Sequence, residues 1–143
     1  MIADGPATVA EEGTRPVNGL SILIVEDDLD TAQSMAMLLR SAGHLVQVAH
    51  DGDSALKAGT ESQPDVALID IGLPDMDGRT VAEHLRRKVD GRRPLLIAIT
   101  GYDRDEDKSL SSGIDLHLTK PADPQALLGM LSRFTQTLRP ASA

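Results

Sequence analysis

The sequence predicts an α/β fold in which a parallel β-sheet is covered on both faces by helices. Short apolar runs alternate with amphipathic segments along the chain, and this alternation is typical of right-handed βαβ units. Three of the apolar runs, "ILIV", "VALI" and "LLIAI", are continuously aliphatic. A strand that is buried on both faces has a continuous apolar sequence, so these three strands are predicted at the centre of the sheet.

The first two strand–helix pairs occupy the stretch before residue 63. The first strand is predicted in "SILIVE", and the helix after it in "DTAQSMAMLLRSAG", where Gly43 is the expected stop. The second strand, "HLVQVAH", alternates and is therefore an edge candidate, and "DGDSALKAGTES" is a short helix that begins at an Asp-Gly turn. The apolar face of the first helix is predicted from its spacing to contain Ala32, Met35, Leu38, Leu39 and Ala42.

The remaining pairs follow the same pattern. The third strand, "DVALID", leads through the turn-rich loop "GLPDMDG" to a helix in "RTVAEHLRRKV", and "PLLIAIT" is the fourth strand. The polar stretch "DRDEDKSLSSG" is predicted as a short fourth helix closed by Gly113. After the fifth strand, "DLHLT", a fifth helix is expected with Asp123 as N-cap and Pro124 at its first position.

The length of 143 residues favours a single domain. Residues 1–19 are rich in Gly, Pro, Thr and Glu without periodicity, which predicts a flexible tail or linker. The folded domain is expected over residues 20–138, and residues 139–143 are expected to form a frayed C-terminal tail.

Composition argues against several classes of function. The net charge of −8, with one Tyr, one Phe and no Trp, disfavours direct nucleic-acid binding. The absence of Cys excludes disulfides and thiolate metal sites. No apolar run is long enough to span a bilayer and no secretory signal opens the chain, so we expect no membrane insertion and a cytoplasmic location.

Polar residues follow four of the predicted strands. Glu26 and Asp27 follow the first strand, Asp70 ends the third, Thr100 ends the fourth and Lys120 follows the fifth. The carboxyl ends of parallel strands meet at one edge, and open α/β sheets bind ligands there. In the flavodoxin-like strand order 2-1-3-4-5, Asp70 lies on the central strand, beside the strand that ends at Glu26 and Asp27. Lys120 is two strands away, and its long side chain can reach Asp70.

Three carboxylates at one edge repel one another unless a cation neutralises them. The candidate ligands of Glu26, Asp27 and Asp70 are oxygens, which favours a hard cation such as Mg²⁺. A metal ion, a lysine, a hydroxyl and a central carboxylate together suit phosphoryl transfer onto that carboxylate. The sequence therefore predicts Mg²⁺-dependent chemistry at Asp70, with Thr100 and Lys120 beside it.

Four segments resemble the receiver domain of two-component response regulators, over roughly residues 20–138. They are "ILIVEDD", "PDVALIDIGLPDMDG", "IAITGY" and "HLTKP", in the order and at the spacing of that family. The segment "DIGLPDMDG", together with the chain around Lys120, looks most like receivers of hybrid sensor kinases.

The resemblance implies a role for each site residue. Asp70 would accept a phosphoryl group from the phosphohistidine of a sensor histidine kinase or histidine phosphotransfer protein. Asp27 would bind Mg²⁺ directly and Glu26 through a water molecule, while the Gly72 carbonyl would be a further ligand. Such a domain is a phosphorelay switch rather than an enzyme that acts on metabolites.

The resemblance also implies a switch made of Thr100 and the residue at position 117. Receivers often have Tyr or Phe there, and this chain has His117. Tyr102 lies at one of the positions that tune phosphoryl lifetime in the family. A homodimer through the face of the fourth helix, fifth strand and fifth helix is left open. The other histidines, His44, His50 and His84, are predicted at the surface.

Three other functions compete with the receiver hypothesis. An aspartate-nucleophile phosphatase of the haloacid dehalogenase type is the main alternative, but it needs a second Asp where this chain has Gly72. An FMN-binding flavodoxin would need aromatic residues that the chain lacks. A receiver that binds partners without accepting phosphate is disfavoured because every chemical residue is present.

Overall fold

The computed structural model describes residues 19–87, 93–101, 113–120 and 122–138. The described strands are β1 (Ser21–Val25), β2 (Leu45–Ala49), β3 (Val66–Asp70), β4 (Leu95–Thr100) and β5 (Leu116–Thr119). The described helices are α1 (Leu29–Ser41), α2 (Gly52–Ser62), α3 (Gly78–Arg86) and α4 (Pro124–Leu138). Most of the predicted fourth helix lies outside the described residues, so α4 is the helix that the sequence predicts as the fifth.

The five strands form one parallel sheet in the order β2-β1-β3-β4-β5. This is the predicted flavodoxin-like order 2-1-3-4-5, and the prediction of a doubly wound α/β fold is confirmed. The three aliphatic runs form the central strands, and the two alternating runs form the edges. β3 is buried at all five positions, as its continuous apolar sequence requires.

Side chains alternate between the two faces of the sheet and build two cores. On one face, sheet residues such as Leu23, Ile69 and Leu96 pack against α2 and α3. On the other face, Ile24 and Leu68 pack with α1 and α4. Helices on both faces are what a parallel sheet needs to bury its apolar side chains. None of the helices within the described ranges combines the length and apolarity that a bilayer crossing requires.

The helices begin and end at residues with clear capping roles. The side chains of Asp28, Asp51 and Asp77 accept backbone N–H groups at the N-termini of α1, α2 and α3. After α1, Gly43 has a φ of 99°, so the predicted stop is confirmed. Ala42 was expected in the core, but it is the exposed C-cap of α1, and Ala36 is buried on the helix face instead.

Candidate functional site

Three carboxylates meet where β1 and β3 end. One oxygen each from Glu26, Asp27 and Asp70 lie within 4.8 Å of one another. Glu26 is 3% exposed and Asp70 4% exposed, whereas Asp27 faces solvent. The Glu26 N–H donates to the Ala49 carbonyl at 3.0 Å, which extends the β1–β2 pairing and fixes the backbone of Glu26. The sequence prediction of an acidic cluster at this edge is therefore matched by the structure.

Two donors approach the same oxygen of Asp70. The Lys120 ammonium lies 3.1 Å from Oδ1, and the Gly72 backbone N–H donates to it at 3.0 Å. Lys120 follows β5, two strands away from β3, so its long side chain covers the gap that the sheet geometry requires. The Oδ1 atom of Asp70 is thus positioned by one flexible cation and one fixed backbone donor.

Burial and the neighbouring charges change two pKa values at the site. Burial raises the pKa of Glu26 to about 7, and its hydrogen bond with Asp70 adds to the effect, while the Asp28 N–H acts in the opposite direction. Partial burial tends to lower the pKa of Lys120, but the hydrogen bond and charge of Asp70, with the other acids, raise it overall. The site therefore retains more negative potential than one lysine neutralises, and it suits a second cation.

Thr100 and Lys120 are joined through the backbone. The Lys120 N–H donates to the Thr100 carbonyl at 2.7 Å, directly beyond the β4–β5 pairing. Thr100 is 4% exposed at the end of β4, one strand from Asp70. Its position beside the acidic cluster agrees with the prediction, and the β4–β5 edge couples it to the lysine.

His117 lies on β5 opposite Ala98, on the face of the sheet that packs against α2 and α3. Its residue is half-buried, and its Nε2 atom is buried without a hydrogen-bond partner within the described part of the chain. A histidine at this position thus has its ring directed into the protein rather than free in solvent.

The loop after β3 returns closely to the site. A Cβ on Gly78 would lie 2.6 Å from the Asp70 carbonyl oxygen, so only glycine fits where α3 begins. The Gly78 N–H donates to the Ile71 carbonyl at 3.0 Å, which closes the loop. Within this loop, Asp75 contacts the N-terminus of α2, a role that the sequence analysis missed. The pattern "PDMDG" predicts a turn, but it does not show which distant element an acid in the turn will contact.

The acidic cluster fits Mg²⁺. Its donors are hard carboxylate oxygens, three of them within the span of one ion, and a divalent cation would stabilise the ionised form of Glu26, whose pKa is raised by burial and by the neighbouring Asp70. Glu26, Asp27 and Asp70 are the side chains placed to hold it. Two or three protein ligands leave room for water, as is usual for Mg²⁺.

A groove of about 780 Å³ opens beside the cluster, between α1 and α4. Glu26 and Lys120 line its end at the site, while Met35, Leu38 and Leu127 form an apolar wall. Leu29 and Met37, both on α1, are exposed large apolar side chains, at 61% and 63%. The site is therefore continuous with a partly apolar surface.

The structure brings together most of the predicted site residues, and it differs from the predictions in one detail. Glu26, Asp27, Asp70 and Lys120 form one cluster, with Gly72 and Thr100 adjacent. Tyr102 and most of the predicted fourth helix lie outside the described residues. His44, predicted at the surface, is half-buried, and its Nδ1 accepts the Leu20 N–H at 3.0 Å.

The chain matches the family model of the response regulator receiver domain over residues 22–132. Among curated relatives, the transcriptional regulator RpaA of Synechocystis is 36% identical over 82% of this chain. The matched region is 48% of that regulator, so the chain spans about half of its length.

Solved structures show the same similarity. A CheY-like receiver domain from Methanospirillum hungatei has a TM-score of 0.76 and 30% identity, over 83% of this chain and 95% of that one. The receiver domain of the sensor histidine kinase PA1611 from Pseudomonas aeruginosa has a TM-score of 0.74 and 31% identity, over 82% and 98% of the two chains. That structure has a magnesium ion coordinated in its active-site cleft.

Proposed function

The chain belongs to the response regulator receiver domain family of two-component systems, and from this premise we propose that Asp70 is its phospho-acceptor. The observation that carries the proposal is the placement of Asp70, nearly buried on the central strand, with Lys120 at 3.1 Å and two further acids within 4.8 Å. Receiver domains are signalling domains that take phosphate from histidine kinases.

The reaction transfers the phosphoryl group from a histidine nitrogen to a carboxylate oxygen. A new O–P bond forms at Asp70 as the N–P bond of the donor breaks. The donor imidazole keeps the electron pair of the N–P bond, and protonation of that nitrogen gives a neutral histidine. Lys120 and Gly72 both approach Oδ1, so we assign Oδ2 as the attacking oxygen. Lys120 then pairs with the charge on the phosphoryl oxygens.

Mg²⁺ is the proposed cofactor, and when bound it offsets the negative charge shared by the phosphoryl oxygens and the acids. Asp27 and Asp70 are its proposed direct ligands, Glu26 acts through a water molecule, and the Gly72 carbonyl completes the protein contribution. The bound magnesium ion in the PA1611 receiver domain supports this proposal.

Thr100 and His117 are proposed to carry the signal away from the site. Phosphorylation adds about −1.5 to −2 charges at pH 7. Thr100 is drawn towards the new oxygens and moves the β4–β5 edge, because its carbonyl is bonded to the Lys120 backbone. His117 lies on the neighbouring strand, and its buried Nε2 has no hydrogen-bond partner among the residues that the structure describes, so its side chain adjusts its rotamer to that movement.

The proposed partner is a sensor histidine kinase or a histidine phosphotransfer protein that docks on the groove between α1 and α4. The groove is continuous with the site, and its apolar wall and the exposed Leu29 and Met37 suit a protein partner. A homodimer through β5, α4 and the preceding helical segment, a cytoplasmic location and the absence of direct nucleic-acid binding remain predictions, as does attachment to a hybrid kinase.

The phosphatase alternative receives no support from the family comparison, and Gly72 stands where that class needs its general acid. Generic phosphate esters distinguish the two: a receiver shows no sustained multiple turnover with them.

Asp70→Asn tests the assignment. With acetyl phosphate and Mg²⁺, we expect the intact mass of the wild type to increase by one phosphoryl group. The variant should not be labelled, and the wild type should not be labelled when EDTA removes Mg²⁺. Asp77→Asn is the matched control, because it makes the same change in the same loop and Asn still caps α3. The control should label within about twofold of the wild-type rate. Wild-type labelling of Asp70→Asn would overturn the assignment.

A further inference from the structure

We infer that Asp75 is a positioning residue for the metal site, because it fastens the loop after β3 to the N-terminus of α2. This inference rests on the proposed function, since it concerns how the loop presents Gly72 to the acidic cluster. It assigns a role to a residue that lies outside the acidic cluster and has no role in the site described above.

Two hydrogen bonds make the attachment. The carboxylate of Asp75 accepts the Gly52 N–H at 2.8 Å through Oδ1 and the Asp53 N–H at 3.2 Å through Oδ2. The partners are 22 and 23 residues apart in sequence, so the contact joins two separate βα connections. We call this pair of bonds the Asp75 hook.

The hook uses donors that the helix itself leaves open. N–H groups in the first turn of a helix have no intrahelical acceptor, and the helix dipole favours a carboxylate there. The side chain of Asp51 caps α2 by accepting the Ser54 N–H, and the N–H groups of the two residues before Ser54 donate to Asp75 instead. These hydrogen bonds, first of all that from Gly52, lower the pKa of Asp75, so its carboxylate is ionised at neutral pH.

Packing beside the hook is also specific. A Cβ on Gly52 would lie 2.3 Å from Cγ and 2.6 Å from Sδ of Met76. The Met76 side chain therefore covers the bare backbone of Gly52, directly next to the hydrogen bonds of Asp75. The loop is fixed there by polar and apolar contacts together.

The hook restrains the middle of a loop whose two ends are at the site. At one end the Gly72 N–H donates to Asp70 Oδ1, and at the other Gly78 packs on the Asp70 carbonyl. Between them, the chain near Leu73 and Pro74 has no strand or helix to hold it. Because the hook removes this freedom, it limits the positions that Gly72 can take relative to Glu26 and Asp27.

Mg²⁺ titration by calorimetry on the full chain tests the hook without using phosphorylation. For Asp75→Ala we expect a dissociation constant for Mg²⁺ about tenfold higher, the lower end of the effect of losing an outer-shell partner. In labelling with acetyl phosphate, the Mg²⁺ concentration for half-maximal rate should rise similarly, while the limiting rate stays within about twofold, because Asp70 and Lys120 are unchanged.

Two variants separate the hook from a general loss of charge. Asp75→Asn removes the charge but keeps an acceptor oxygen for the Gly52 N–H, so Mg²⁺ affinity should return to within about threefold of the wild type. Asp53→Ala removes a neighbouring carboxylate from the same helix N-terminus and leaves both backbone donors intact, so Mg²⁺ affinity should not change.

Each outcome has a distinct meaning. Unchanged Mg²⁺ affinity in Asp75→Ala, or an equal loss in Asp53→Ala or Asp75→Asn, would overturn the hook and leave the phospho-acceptor proposal intact. A wild-type protein that neither binds Mg²⁺ nor becomes labelled would instead refute the proposed function on which the hook depends.

Discussion

Buried acids occur both at the edge of the sheet where the strands begin and at the edge where they end, but the surroundings of the acids differ between the two. At the edge where the strands begin, Asp65 is 4% exposed, and its Oδ2 accepts the Ser21 N–H at 2.9 Å. At the same edge, Asp115 accepts the Leu96 N–H at 2.8 Å and pairs with Arg93 at 2.6 Å. Each of these acids ties the start of a neighbouring strand.

At the opposite edge the acids face one another. Glu26 is as buried as Asp65, yet its neighbours include the carboxylates of Asp27 and Asp70. Burial, together with the hydrogen bond and charge of Asp70, raises the pKa of Glu26 to about 7. Lys120 is the cation in contact with Asp70, and its side chain is 41% exposed. The negative potential at this edge is therefore only partly neutralised.

The difference shows that burial of an acid does not by itself indicate function. A carboxylate that accepts a backbone N–H of a neighbouring strand adds to stability without being in conflict with another acid. A cluster whose charges remain in conflict gains free energy when a cation arrives, and such conflict is typical of functional sites. The acids at the first edge stabilise the pairing of the strands, and the acids at the second edge form the candidate metal site.

Replacing Asp65 with Ala should give the largest change in stability. The substitution leaves the partly buried Ser21 N–H without its Asp65 acceptor and removes a buried side chain, so we expect the free energy of unfolding to fall by about 3 kcal/mol. Urea unfolding followed by circular dichroism measures it. The loss should be the same with and without Mg²⁺, because Asp65 lies at the edge away from the metal site.

Glu61→Ala is the control for Asp65→Ala, because it removes one exposed acid from α2 and should change stability by about 0.5 kcal/mol or less. A stability loss in Asp65→Ala that disappears when Mg²⁺ is added would contradict the division between the two edges.

Replacing Glu26 with Gln should have a smaller effect of opposite sign in metal-free protein. At pH 8 in EDTA, the variant should be more stable than the wild type by about 2 kcal/mol. The upper limit is roughly 3 kcal/mol, which is the free energy that corresponds to raising the pKa of Glu26 from 4.5 to about 7. Urea unfolding at pH 5 and pH 8 gives the comparison.

The sign follows from proton linkage. Because the folded pKa of Glu26 is raised, the native state holds a proton that the unfolded state loses between pH 4.5 and about 7, so wild-type stability falls as pH rises through that window. The difference from Glu26→Gln should therefore be small at pH 5. Adding Mg²⁺ should stabilise the wild type more than the variant. An unchanged difference across pH would show that Glu26 is not under electrostatic strain.

The sequence predicted the fold because its signals are local and repeated. The continuous apolar run of β3 and the alternation in β2 identify central and edge strands without any knowledge of distant contacts. The last residue of the α1 face was wrong for a local reason. Ala42 fits the helical spacing, but the helix ends at Ser41, and boundaries depend on capping as well as periodicity.

The site was predictable where topology alone brings residues together. Glu26, Asp70 and Lys120 follow from the rule that parallel strands share their carboxyl ends. The roles of Asp75 and His44 were missed because their hydrogen-bond partners are more than 20 residues away in sequence. Loop conformation decides such contacts, and turn-forming residues specify that a turn occurs without specifying what it meets.

His44 gives the smallest predicted effect and tests the strand-start edge by pH. Burial lowers the pKa of His44, and its Nδ1 must be unprotonated to accept the Leu20 N–H. The unfolded state therefore binds more protons than the native state just below pH 6.5, and stability falls as pH falls through this range, opposite to the effect of Glu26.

His44→Asn keeps an acceptor oxygen near the same position and does not titrate. Between pH 7 and pH 5, the wild type should lose about 1 kcal/mol more than this variant in urea unfolding, the contribution of one hydrogen bond. Equal losses in the two proteins would mean that the Leu20 contact survives protonation, and that this edge does not depend on fixed donor–acceptor pairs in the way its geometry indicates.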